Sequence, residues 1–136
     1  MLAWRTFLEA HAAIVRRLND ELEESAGIPL SWYDLLVQLQ EAGGVLRMHR
    51  LAESLLISRS ATTRFVDRLE GRGLIRREVC SEDRRGMNVV LTAKGLDALR
   101  EATPGHLDGV ARLFTNHLSK AEAAQITEIL GRVTSQ

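Results

Sequence analysis

The sequence predicts a mainly α-helical fold with a small β-hairpin wing, a winged helix-turn-helix with N- and C-terminal dimerisation helices. Three observations predict it. Apolar residues recur at helical spacing over most of the 136 residues. The stretch from Arg47 to Thr92 reads as a helix, a tight turn, a second helix rich in Ser, Thr and Arg, and then two alternating strands. Those strands are joined by an arginine-bearing tip, Ser81-Glu82-Asp83-Arg84-Arg85-Gly86. A helix sized for a major groove, followed by a basic loop that can reach the neighbouring minor groove, is a way to grip double-stranded DNA.

The first helix is expected from Trp4 to Ser25. Trp4, Leu8, Val15, Leu18 and Leu22 form an apolar seam, His11 fills its gap, and Phe7 and Ile14 widen it. Gly27 and Pro29 end this helix. Ser31 starts a second one, with Asp34 as a capping-box-like partner, and Trp32, Leu35, Leu36 and Leu39 give it a buried face. Gly43-Gly44 stops it. Val45-Leu46 can add a short strand to the later hairpin. A third helix spans Met48 to Leu55, and Leu56-Ile57-Ser58 turns the chain into a fourth, with Ser58 as N-cap and an end near Gly71. On that helix Phe65, Val66 and Leu69 face inward, leaving Arg59, Ser60, Thr62, Thr63 and Arg64 outward. Leu74–Val79 and Met87–Leu91 are the hairpin strands. Thr92 caps a long helix that Pro104-Gly105 should bend or interrupt. Ser119 and Glu122 form a capping box for a last helix bearing Ile126, Ile129, Leu130 and Val133.

One domain over residues 1–136 accommodates all of this. Residues 30–92 suffice to close a winged-helix core, so residues 1–28 and 93–136 carry surplus apolar stripes. Those stripes call for mutual packing and for a second copy of the chain, a homodimer. A net charge of zero conceals an uneven distribution. Residues 1–46 hold three basic side chains against seven acidic, whereas residues 47–85 hold ten arginines against six acids. Arginine's planar fork can take phosphate or guanine with two hydrogen bonds. An ordinary solvated surface would carry the same charges, so the pattern rather than the charge decides the reading.

Several segments resemble the MarR-type transcriptional regulators: Leu51-Ala52-Glu53, Ser58-Arg59-Ser60-Ala61-Thr62-Thr63-Arg64 and Val66-Asp67-Arg68-Leu69-Glu70. Arg72-Gly73-Leu74-Ile75-Arg76-Arg77 and the run from Asp83 to Gly95, with its Val89-Val90-Leu91-Thr92, extend the likeness over nearly the whole chain. The resemblance implies a homodimeric cytoplasmic repressor, less often an activator, that reads a palindromic site. Ser58, Ser60, Thr62 and Thr63 would let the helix N-terminus approach backbone and base edges, with Arg59 and Arg64 reaching guanines or flanking phosphates. Arg68 would take backbone, and Arg47 belongs to the same basic set. At the tip Asp83 would orient an arginine. The family's Asp-x-Arg pattern favours Arg85 for the minor groove and leaves Arg84 for phosphate. Asp67 and Glu70 read as solvated partners of Arg64 or Arg72 along the helix.

The resemblance also implies a pocket for a small aromatic effector between the terminal helices and the DNA-binding lobe, for which Trp4, His11, Trp32, Arg47 and Met48 are the candidates. Trp4 and Trp32 have a plainer reading as core residues, and His11 as a core or interface histidine. Cys80 lies near the wing and reads as an inert structural cysteine. It cannot form an internal disulfide, which suits a reducing cytoplasm. No apolar run approaches the roughly 18–20 residues that span a bilayer, so no membrane partner is expected, and the first six residues lack a signal-peptide pattern. No Gly-rich phosphate loop or Ser/His/Asp ordering points to an enzyme. The four histidines, His11, His49, His106 and His117, are too scattered for a zinc site. Neither cofactor nor metal nor catalytic residue is expected. The competing reading is a winged helix that serves as a protein-interaction module without binding DNA.

Overall fold

The computed structural model describes residues 1–55, 58–80 and 86–136. The turn residues Leu56 and Ile57 and the wing tip 81–85 lie outside them. Helix α1 (Leu2–Ala26) ends at Gly27, whose φ of 71° is the left-handed conformation that glycine adopts without cost. Helix α2 (Leu30–Glu41) begins one residue before Ser31, and neither Ser31 nor Asp34 caps it. Asn19 of α1 does so instead, its side-chain oxygen accepting the Leu30 N–H at 2.9 Å. The cap crosses between helices, so it fixes the α1–α2 corner as well as the helix start.

Strand β1 (Val45–Arg47) leads into α3 (Met48–Leu55), and α4 (Arg59–Gly71) follows. Strands β2 (Ile75–Val79) and β3 (Met87–Leu91) form the hairpin. The sheet is antiparallel with order β1-β3-β2; Leu46 lies opposite Val89, and Arg77 lies opposite Val89 on the other side. Helix α5 (Ala93–Leu113) is capped by the Thr92 hydroxyl, which accepts the Gly95 N–H at 3.0 Å. A single 3₁₀ turn, Thr115–His117, then leads to α6 (Lys120–Thr134), whose capping box between Ser119 and Glu122 is complete.

Of the bend or interruption expected at Pro104-Gly105, the interruption does not occur: α5 runs on through both residues. The N–H that proline lacks would have served the carbonyl of Arg100, and both residues lie on the water side of the helix.

The core is aliphatic and sits where α2, α3, α4, the sheet and α5 meet: Leu35, Leu36 and Leu39 with Leu51, Leu69 and Val89 are fully buried. Each such side chain contributes about 1.5–3 kcal/mol of burial. Helices α1 and α5 lie against each other and both pack on α2. Only Leu18 and Leu22 of the α1 seam are buried, whereas Trp4, Phe7, Leu8 and Val15 stay open to solvent. No residue of α6 is buried. No helix among the described residues is long and apolar enough to cross a membrane.

Candidate nucleic-acid interface

Helix α4 starts at Ser58, whose hydroxyl accepts the Ala61 N–H at 3.1 Å and lies 3.2 Å from Ser60 Oγ. Behind this cap, Val66 and Leu69 anchor the helix in the core. Ser58, Arg59, Ser60, Thr63, Arg64 and Arg68 are all exposed, on a surface that no other described element covers. The free N–H groups of the first turn add a partial positive charge to the same end.

Thr62 departs from the sequence reading. It is fully buried, and its hydroxyl donates to the Ser58 carbonyl at 2.8 Å. It precedes Val66 by four residues and so shares the inward stripe; it cannot touch a duplex while the helix is intact. Arg47 is half-buried at the end of β1, opposite Asn88 of β3. Asp83, Arg84 and Arg85 fall outside the described residues.

Asp67 and Glu70 do not pair with Arg64 or Arg72. Both turn to Arg77 on β2, whose Nη2 lies 2.6 Å from Asp67 Oδ1 and 2.8 Å from Glu70 Oε1. The Arg77 N–H also donates to Glu70 Oε2 at 2.8 Å. The pairing is invisible in the sequence because it joins two elements whose separation only the fold sets. Arg76 pairs with Glu78 along its own strand at 2.9 Å. Arg72 instead sits over the Trp32 ring, 5.5 Å from its centroid.

The hydrogen bonds from Arg77 hold the Glu70 carboxyl below its ordinary value of 4.5, and the capping bonds of Ser119 do the same for Glu122. A lowered carboxylate binds fewer protons in the folded than in the unfolded chain. The stability it contributes is complete above the ordinary value and is lost as pH falls through the lowered one. Denaturant midpoints measured from about pH 6 to about pH 3 should therefore fall. The gap between the wild-type protein and Glu70→Gln should close over the same range, since both side chains are then uncharged.

The five effector candidates are spread over different parts of the chain. His11 lines an apolar trough of about 740 Å³ between α1, the end of α5 and α6, together with Phe7, Val110, Phe114 and Leu130. Trp4 borders a neighbouring open cavity with Met1 and Leu8. Trp32 and Met48 pack partly buried against the lobe's core. Cys80 is buried, and its thiol donates to Asn88 Oδ1 at 3.1 Å. Among the described residues no group of three or more potential ligands could hold a metal ion.

A helix-turn-helix with its arginine and hydroxyl face open, backed by a three-stranded wing sheet, defines a winged-helix regulator. A model of the MarR family matches residues 26–86. The fold superposes on AbsC, a MarR family transcriptional regulator from Streptomyces coelicolor, with a TM-score of 0.93 and 33% identity, covering 98% of this chain and 90% of that one. It superposes equally well, at 0.93 and 37% identity, on Sco3205, a MarR family regulator of the same organism solved in complex with DNA; 98% of this chain and 84% of that one are covered. The transcriptional repressor MprA of Escherichia coli is 28% identical over 137 residues, spanning all of this chain and 77% of that protein. The chain belongs to the MarR family of transcriptional regulators.

Proposed function

We propose that the protein is a sequence-specific binder of double-stranded DNA that works as a homodimeric repressor of a palindromic operator and is released by a small aromatic or phenolic ligand. Residues 30–92 form the DNA-binding lobe, and residues 1–28 with 93–136 form the dimer. The observation that carries this reading is the α4 face, where Ser58, Arg59, Ser60, Thr63, Arg64 and Arg68 stand together in solvent on a helix anchored from behind. Arg47, Asp83, Arg84 and Arg85 complete the proposed contacts. The DNA complex of the 37%-identical relative and the naming of MprA, a curated relative, as a repressor support it further.

The homodimer is supported by the unfilled trough, whose walls come from both ends of the chain. Trp4 is 57% exposed and Val133 is 61% exposed, an arrangement that a second copy would cover. Two α4 helices in adjacent major grooves would be roughly 34–36 Å apart. The ligand reading takes Trp4, His11, Trp32, Arg47 and Met48 as the residues that a dimer would bring toward a shared cleft. A ligand there acts only through unequal affinity for the DNA-competent and incompetent spacings.

One experiment tests the whole reading. Sequences bound from a random duplex library are selected in low salt, where phosphate contacts are strongest, and the same sample is run on gel filtration. The expected result is one palindrome recovered by a dimer, and release of that duplex by some members of a panel of aromatic carboxylates and phenols. Recovery of no sequence, or of a half-site by a monomer, overturns it.

A further inference from the structure

We infer that Glu70 and Arg77 are positioning residues that hold the recognition helix at a fixed angle to the wing, so that both engage one stretch of duplex together. The inference rests on the DNA-binding reading of α4. Strand β2 is an edge strand in the order β1-β3-β2, so among the described residues the N–H groups on its outer side meet no further strand. At Arg77 that outward N–H finds an acceptor on the helix instead, Glu70 Oε2 at 2.8 Å. The other oxygen of the same carboxylate takes the Arg77 guanidinium, also at 2.8 Å. Glu70 thus grips both the main chain and the side chain of one wing residue. The backbone bond sets where the helix lies along the strand, and the guanidinium sets its rotation. Asp67, one turn back on α4, adds a third contact to the same Nη2.

These are the two acidic residues on α4, and both are committed to the wing rather than to the arginines of their own helix. The arrangement leaves the positive face of α4 undiluted by its own acids. Part-exposed ion pairs add little to stability, whereas misplacing one of two simultaneous contacts is costly to recognition. From Arg77 the strand runs on to Val79 and into the tip. The angle fixed at Arg77 is therefore shared by β2 and by β3, which pairs with it along its length.

The test uses the intact protein, the selected duplex and a scrambled duplex of equal length. Glu70→Gln is expected to weaken binding of the selected duplex by about tenfold. Affinity for the scrambled duplex should be unchanged or slightly raised, and thermal unfolding should move by only a few degrees. Asp67→Asn, which removes the outermost contact, should show the same pattern at about threefold and serves if Glu70→Gln fails to fold. Equal affinities of the variants and the wild-type protein for the selected duplex would overturn the inference. So would a parallel loss on both duplexes together with a lower melting point, the mark of a merely structural pair. If the wild-type protein prefers no duplex, the DNA-binding reading itself fails, and the inference with it.

Discussion

Gly95→Ala is expected to unfold the wing end of the molecule, with a loss of at least about 3 kcal/mol and a melting point lower by about 10 °C or more. A Cβ at this position would lie 2.0 Å from the Leu74 carbonyl oxygen and 2.9 Å from Leu91 Cδ1. The first of these is backbone and cannot swing aside. It is also pinned, because the Thr92 N–H donates to the same Leu74 carbonyl at 3.2 Å and the Thr92 hydroxyl donates to the Gly73 carbonyl at 2.6 Å. The first turn of α5 therefore presses directly on the start of β2, and only a residue without a side chain fits. Differential scanning calorimetry of the variant beside wild type decides it; an unchanged melting point would mean that α5 can lift off the sheet without penalty. Gly109, where a Cβ would meet Leu18 Cδ2 at 2.9 Å, is a milder case because its obstacle is a side chain that can rotate.

Replacing Arg59 and Arg64 together with alanine is expected to lower affinity for the selected duplex by about a hundredfold or more, at roughly 1–3 kcal/mol for each residue. Both are exposed at the start of α4, and neither anchors the helix, so the fold should survive. Fluorescence anisotropy at several salt concentrations separates their roles. An arginine on phosphate reduces the slope of log affinity against log salt by about one and leaves sequence preference intact. An arginine on guanine relaxes preference at one position with less change in slope. Retention of full affinity by the double variant would point instead to the protein-interaction reading.

The features legible in the sequence are those encoded within one turn of the chain. The N-caps at Ser58 and Thr92, the Ser119–Glu122 box, the bounds of α3 and the end of α1 at Gly27 all rest on neighbours within a few residues. The Asn19 cap on Leu30 is not of this kind: it spans 11 residues and exists only once α1 and α2 have met. The turning of Asp67 and Glu70 toward β2 has the same origin. Tyr33 is a third example, buried with its hydroxyl 3.0 Å from Thr103 Oγ1 and its ring 4.5 Å from that of His106. Thr62 is different, because the information was present. Its spacing from Val66 and Leu69 is that of a buried stripe, and its polar type obscured it; burying a hydroxyl is cheap when a carbonyl four residues back accepts it.

Helix α5 touches each part of the molecule in turn. Its first turn bears on β2 at Gly95, its middle meets α2 at Thr103 and α1 at Gly109, and its far end borders the trough through Val110 and Phe114. Because α5 runs on through Pro104, these contacts lie along one continuous helix roughly 30 Å long. A helix of that length can act as a lever. In the proposed dimer, a tilt of about ten degrees imposed at the contact between copies would carry the hairpin end through about 5 Å, enough to take a wing out of the proposed groove contact without any rearrangement inside the lobe.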